Sequence, residues 1–224
     1  MKKKSPPKLR VLYITPSLST KWGGPPRVAV QLAEAVQKKG LSCTIYTIDA
    51  PPKDTTISSR FINISNFSIG WQAHWWPAYS IDLSQTLTRE AKLFDIIHIH
   101  ELWHYANFAA YRTAIRQKIP YIITIHGALE DWALNYKARK KQLYMWLVQR
   151  RILKKANGLH VFTEWEAKRL RRLDGFRRIA VIPNGIDMEG LSNLPPREKF
   201  EMIYPELRGK KVLLFLGRIH PIKG

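Results

Sequence analysis

The segment HIHELWH, residues 98–104, puts His100, Glu101 and His104 in the order H-E-x-x-H. On a helix that spacing turns two imidazoles to one face, where they hold zinc while the carboxylate acts as base. Here His98 and His100 end an apolar run of strand length, so the first of the pair is not expected to be helical. Asn107 stands where the extended metalloprotease pattern has glycine. No metal is expected, and a zinc peptidase would have to contain stoichiometric zinc.

Other stretches offer different chemistry. In PSLSTKWGGPPRV, 16–28, an apolar run gives way to Gly23-Gly24 and then to a helix start near Pro26. Paired glycines let a backbone come close to a ligand, and helix N-termini favour anions. The pattern is not G-x-G-x-x-G, and a plain turn explains it as well. In TIHGALEDWAL, 124–134, His126-Gly127 follows another apolar run. The competing reading there is a satisfied histidine in a turn. VIPNGID, 181–187, breaks a strand at Pro-Asn-Gly, a strong turn signal. VLLFLGRIHPIKG, 212–224, runs from a strand-like segment into a loop bearing Arg218 and Lys223, two cations suited to a phosphate. GWQAHWWPAY, 70–79, crowds three tryptophans into a loop. Their flat faces suit sugar rings, or form a hydrophobic plug over a sheet.

Charge narrows the partners. The formal net charge is +20 over 224 residues, which calls for an anionic partner: nucleic acid, an anionic membrane surface or phosphorylated ligands. From 132 to 163 there are eight Lys or Arg and no acid, including Lys137, Arg139, Lys140 and Lys141. Within that block lies LYMWLV, 143–148. Bulky apolar residues among cations suit a helix resting on lipid headgroups. The alternative is a buried helix centre with solvated basic ends. The single cysteine, Cys43, excludes an intrachain disulfide framework. No apolar run approaches the roughly 20 residues of a membrane span. The basic start MKKKSPPK is followed only by a short strand-like run, so no cleavable signal is expected.

The elements that must position these residues are legible as runs. VLYIT, CTIYTI, FINI, IIHIH, YIITI, LHVF, IAVI and VLLFL read as strands, mostly continuous rather than alternating, as in strands covered on both faces. Helical stretches lie between many of them. Residues 27–39 carry apolar positions on one face and stop at Gly40; Thr163 and Glu166 form a capping box for 164–173. The expectation is an α/β fold, a Rossmann-like and mostly parallel sheet with helices on both faces. The boundaries expected are a basic tail at 1–8, one domain over 9–187, a linker at 188–210 with one short helix, and the first strand and phosphate loop of another domain at 211–224.

In this order the blocks resemble a family 4 glycosyltransferase of the GT-B fold. Those that match are the Gly-Gly loop, IIHIHELW, TIHGALEDWAL, VFTEWEAKRL, VIPNGID and FLGRIHPIKG. PNGID followed by GR and KG is the most specific part, and HGALEDWAL with a basic helix after it is similar to members that build bacterial surface polysaccharides. The resemblance implies two Rossmann-like domains, the first on the acceptor side and the second holding a nucleotide-sugar, of which this chain would carry only the start. It implies that Arg218 and Lys223 bind the donor diphosphate, that Gly23 and Gly24 approach the donor, and that His126 contacts the transferred sugar, to orient it or to stabilise charge. It further implies a retaining sugar transfer to a lipid-linked saccharide or other glycan, at the cytoplasmic face of a membrane. No cofactor is implied. Glu101 departs from the family, which often has a small residue there. The family's paired glutamates belong to the second domain; Glu198 and Glu206 have that spacing but lie in the expected linker. A second class remains: a basic protein that binds nucleic acid or anionic membrane without transferase activity. No RRM, zinc-finger or KH signature supports specific nucleic-acid binding.

Overall fold

A computed structural model describes residues 8–48, 56–135, 137–174, 176, 178–186, 188 and 194–217. The chain divides into two compact units, Met1–Asn184 and Gly185–Gly224.

The first unit is a seven-stranded sheet. Its strands are β1 (Arg10–Thr15), β2 (Ser42–Thr47), β3 (Asn63–Asn66), β4 (Ile96–His100), β5 (Tyr121–Thr124), β6 (Gly158–Val161) and β7 (Ile179–Val181). The order is β3-β2-β1-β4-β5-β6-β7, and each neighbouring pair is parallel. Parallel neighbours require crossovers. Single helices supply four of them: α1 (Gly24–Lys38), α2 (Ile81–Glu90), α3 (Tyr105–Gln117) and α7 (Glu164–Asp174). A fifth crossover is composite: α4 (Asp131–Asn135), α5 (Ala138–Tyr144), one π-helical turn at Met145–Gln149, and α6 (Arg150–Lys155). The fold is α/β and Rossmann-like, as expected.

The strands are apolar on both sides because two cores flank the sheet. One packs Val11, Tyr13, Ile45 and Val30 with Ala33 of α1. The larger packs Leu12, Ile14, Ile97 and Ile99 against α2, α3, α6 and α7. Strand order reverses between β1 and β4: the chain walks outward from β1 to β3, then returns to β4 on the other side. In open α/β sheets ligands bind outside the carboxyl ends of the strands at this switch point. The loops carrying Gly23-Gly24 and His100–His104 therefore flank it.

The capping box forms as read. Thr163 N–H donates to Glu166 Oε2 at 3.2 Å, and Glu166 N–H donates to Thr163 Oγ1 at 3.2 Å. One expectation fails. The apolar run at 212–216 is not a strand; its side chains are exposed and it joins no ladder among the described residues. A strand is a property of its neighbours, and the described residues of the second unit, which form α8 (Arg197–Ile203) and a 3-10 turn at Pro205–Leu207, offer the run none. The H-E-x-x-H string is not a helical motif, as its strand-like start implied. Glu101 and Trp103 have φ of 67° and 74°, so the chain is a left-handed loop between β4 and α3, and its two histidines do not share a helical face.

Candidate functional site at the carboxyl edge

Gly23 sits between a 3-10 turn (Thr20–Trp22) and α1, with φ 83° and ψ −128°, a conformation that needs glycine. Gly24 is the first residue of α1, and a Cβ added there would meet nothing within 4 Å. Packing does not explain that glycine. Pro25 and Pro26 follow within the first turn. Proline has no N–H, so the helix start offers an anion few backbone donors beyond those of Gly24 and Arg27.

His126 stands just past β5. It and Gly127 have φ of 54° and 68°, two successive left-handed residues. Such backbone costs about 1–2 kcal/mol at a non-glycine residue and persists only where the surroundings hold it. Arg169 of α7 does part of the holding: its Nε donates to Leu129 O at 2.7 Å, and its Nη1 donates to Asp131 Oδ2 at 2.6 Å. His126 Nε2 lies 3.0 Å from His100 Nδ1, the end of β4. His100 is fully buried and its Nε2 has no hydrogen-bond partner. A buried N–H without a partner is costlier than a buried lone pair. The arrangement that avoids it has His100 donate through Nδ1 to His126 Nε2, which puts the His126 hydrogen on Nδ1. Burial pushes both rings down, His100 far below the usual histidine range and His126 to about 4, against a raising influence of Glu101 on the latter. Both are neutral at pH 7.

A second chain of bonds lies beside this pair, and sequence reading missed it. His160 Nε2 is 2.9 Å from Ile182 O, which only accepts, so Nε2–H donates. In the neutral ring Nδ1 then accepts from Thr124 Oγ1–H at 2.8 Å. With its proton committed, Thr124 Oγ1 accepts from His98 Nε2–H at 2.7 Å. Three strands are thereby cross-tied at their carboxyl ends. His98 is wholly buried, and burial, with His160 and His126 nearby, lowers it to about 3. The available signal was a histidine near the end of each of two apolar runs. What the sequence did not show is that β4 and β6 both reach Thr124 of β5.

The loop after β4 is fixed from both sides. Asn107 Nδ2 donates to Glu101 O at 2.7 Å, and Trp103 N–H donates to Gln149 Oε1 at 3.3 Å. Glu101 Oε2 lies 3.5 Å from His104 Nε2, each side chain only 12% exposed. The Trp22 ring meets His104 edge-on at 5.3 Å, joining the loops after β1 and β4 across the switch point. The structure thus links the Gly23-Gly24 loop to His104, and His100 to His126. Arg218 and Lys223 lie outside the described residues.

The basic block forms a helix with three different sides. Gln149, Ile152 and Leu153 are buried. Leu143, Trp146 and Leu147 are exposed, Trp146 by 72%, while Met145 and Val148 pack against the larger core, so LYMWLV is half core and half surface. Lys137, Arg139 and Lys140 are exposed too. Lys141 is half-buried: its Nζ donates to Ala133 O and lies 5.4 Å from the Trp103 ring centroid. Of the three loop tryptophans, Trp71 and Trp75 are exposed, while Trp76 packs on Tyr105 and Phe108.

Comparison with known proteins adds the following. A family model described as "Glycosyl transferase 4-like domain" matches residues 23–185. No curated protein matches the sequence. Among solved structures, Anabaena Alr3699/HepE in complex with UDP-glucose has a TM-score of 0.64 at 13% identity, covering 89% of this chain and 50% of that one. A UGT transferase from Siraitia grosvenorii in complex with UDP has a TM-score of 0.51 at 13% identity, covering 83% and 54%. UDP-GlcNAc 2-epimerase from Methanocaldococcus jannaschii has a TM-score of 0.52 at 16% identity, covering 79% and 45%. The chain spans about half the length of these structures. At such identities the likeness is one of fold, and that fold serves an epimerase as well as a transferase.

Proposed function

This chain belongs to the glycosyl transferase 4-like family, and from that premise we propose that the protein moves a sugar from a nucleotide-sugar to a saccharide acceptor in surface or exopolysaccharide synthesis, with retention at the anomeric carbon. The observation that carries the reading is the neutral His100–His126 pair at the carboxyl edge, one strand from the switch point. A neutral imidazole with its hydrogen on Nδ1 serves as a hydrogen-bond donor rather than a cation. Of the two roles open to His126, orienting the transferred sugar fits this state better than stabilising charge by a positive ring.

The other assignments follow the family. Gly24, with open space where a side chain would stand, admits the donor close to the helix start. Arg218 and Lys223 bind its diphosphate by charge-assisted hydrogen bonds of roughly 1.5–3 kcal/mol each. These two cations take the role a metal fills elsewhere, so the reaction needs no metal or other cofactor. The acceptor is a lipid-linked saccharide, and the protein meets it at the cytoplasmic membrane surface. The exposed face of Leu143, Trp146 and Leu147 beside Arg139, Lys140 and Arg150 supports that placement. Among the described residues no helix is long and apolar enough to cross a membrane.

The test incubates the protein with a panel of radiolabelled nucleotide-sugars and a lipid extract, and follows label into the organic phase. Incorporation from one donor, insensitive to chelator, with the anomeric proton of the product matching that of the donor sugar, is expected. Steep, sequence-independent binding of RNA that falls with salt, and no response to any nucleotide-sugar, would overturn it in favour of a basic binding protein. Conversion of a labelled donor to an isomeric nucleotide-sugar, without transfer, would point to the epimerase use of the fold.

A further inference from the structure

Beside the switch point lies a groove of about 610 Å³, within the range of ligand sites. Four tryptophans line it: Trp22, Trp75, Trp76 and Trp103. They come from three separate loops, so no single apolar segment accounts for their convergence. The facing wall is one side of the helix that follows Lys137. Lys137, Lys140, Lys141 and Tyr144 recur at helical spacing. The side bearing Leu143, Trp146 and Leu147 is a different one and does not line the groove.

We propose that this groove binds an anionic amphiphile, an apolar chain joined to a phosphate, with the chain between the tryptophans and the phosphate at the lysines. Two independent features select that chemistry. The lining is apolar and aromatic, which suits hydrocarbon. Its charged groups are cations: Lys137, Lys140 and Lys141 come from the helix, and the other ionisable members of the lining are His104 and Tyr144. The Tyr144 hydroxyl sits beside the Trp76 indole N–H, and both atoms are closed off from solvent, so these two side chains shape the wall and offer the ligand no hydrogen bond. The state of Lys141 agrees: burial, then the neighbouring Lys137, lowers its affinity for the proton, and the charge of a bound anion would oppose that lowering.

The groove is continuous with the candidate site. His104 belongs to its wall and lies 3.5 Å from Glu101, the residue after His100. A phosphate held at the lysines leaves a saccharide attached to it at the edge where His104 and His126 stand. This deepens the reading of a lipid-linked acceptor and rests on it for the identity of the natural ligand, but binding is measured without donor or turnover.

Farnesyl phosphate, kept below its aggregation threshold, is titrated into the protein by calorimetry, with farnesol, inorganic phosphate and a neutral oligosaccharide as parallel probes. Farnesyl phosphate is expected to bind at least tenfold more tightly than each of the others. Replacing Lys140 and Lys141 together with Gln should weaken farnesyl phosphate at least tenfold and leave farnesol unchanged. Trp75→Ala, at a side chain 73% exposed, should weaken both without unfolding the protein. The triple change of Leu143, Trp146 and Leu147 to Ser should leave farnesyl phosphate affinity within twofold. Equal binding of the oligosaccharide would make this a glycan groove and overturn the proposal, as would phosphate alone matching farnesyl phosphate. If farnesyl phosphate binds as expected while no nucleotide-sugar is used, the groove stands and the transferase reading fails; the converse result removes the groove alone.

Discussion

Two regions of the first unit stand close to the same groove and are built on opposite terms. The loops after β4 and β5 are buried, left-handed and cross-tied. His98, Thr124 and His160 hold one another, His100 holds His126, and Asn107 and Gln149 hold the chain between. The helix over 138–155 instead presents Leu143, Trp146 and Leu147 to solvent and carries its cations outward. Precision comes from left-handed backbone and cross-strand hydrogen bonds in a dry setting, with His100 Nε2 and Glu101 Oε1 left without partners; adhesion comes from apolar and charged surface that the fold does not use. Substitutions should therefore cost stability in the first region and leave stability alone on the exposed side of the second.

The largest separation should come from acid. His98 and His126 titrate near 3 and 4 in the folded protein against about 6.5 when unfolded. Between those values the unfolded chain binds protons that the folded one refuses, so stability falls as pH drops below about 6.5. Each such histidine contributes a slope of about 1.4 kcal/mol per pH unit. By pH 5 the two together should remove about 4 kcal/mol. Urea unfolding at pH 7, 6 and 5 measures it, and His98→Asn should flatten the curve. A pH-independent midpoint across that range would mean that the histidines are not held neutral.

Next is His126 itself. His126→Ala should lower turnover about 100-fold, the size of one lost transition-state donor, with nucleotide affinity changed less than threefold. An equal loss in both would place the ring on the nucleotide instead of the sugar.

The helix supplies the third contrast. Changing Leu143, Trp146 and Leu147 to Ser should leave the unfolding midpoint nearly unmoved, because these side chains already face water. The same protein should lose tenfold or more of its sedimentation with anionic vesicles. Changing Lys137, Arg139, Lys140 and Lys141 to Gln should do likewise at about 1 kcal/mol per charge, with the parent's binding fading as salt rises from 0.1 to 1 M. Lys141 is the member to watch, since its ammonium is tethered to Ala133 and should contribute least to the surface.

The same contrast explains what could be read from the chain. IIHIH is β4 residue for residue, and the capping box at Thr163 and Glu166 forms as written, because both depend on local pattern. LYMWLV was open to two readings because a contiguous apolar run does not say which side faces the core; the π turn at Met145–Gln149 also shifts the register of the faces that follow. VLLFL has strand composition and no strand, since pairing depends on a partner. Glu101 and His104 were visible only as a metal-like string; their pairing depends on left-handed backbone that the residue types do not announce. His98 and His160 looked like core residues of separate strands, and only the parallel order brings them to one threonine.

The smallest expected effect tests whether a glycine is present for the fold or for a ligand. Gly23 has positive φ, so Gly23→Ala should cost about 1–2 kcal/mol whatever the ligand. Gly24 is different. It is the first residue of α1, lies outside the positive-φ set, and has open space where a Cβ would go. Alanine there reduces the freedom of the unfolded chain and should raise stability by about 0.4–1 kcal/mol. If the position serves only the turn, nucleotide-sugar affinity should be untouched in Gly24→Ala. If the donor approaches the backbone there, the added methyl occupies that approach, and affinity should fall at least fivefold in a protein that is no less stable. Melting temperature and donor titration on the same preparation separate the outcomes. A stabilised protein with unchanged donor affinity would remove Gly24 from the donor site and leave His126 as the anchor of the carboxyl edge.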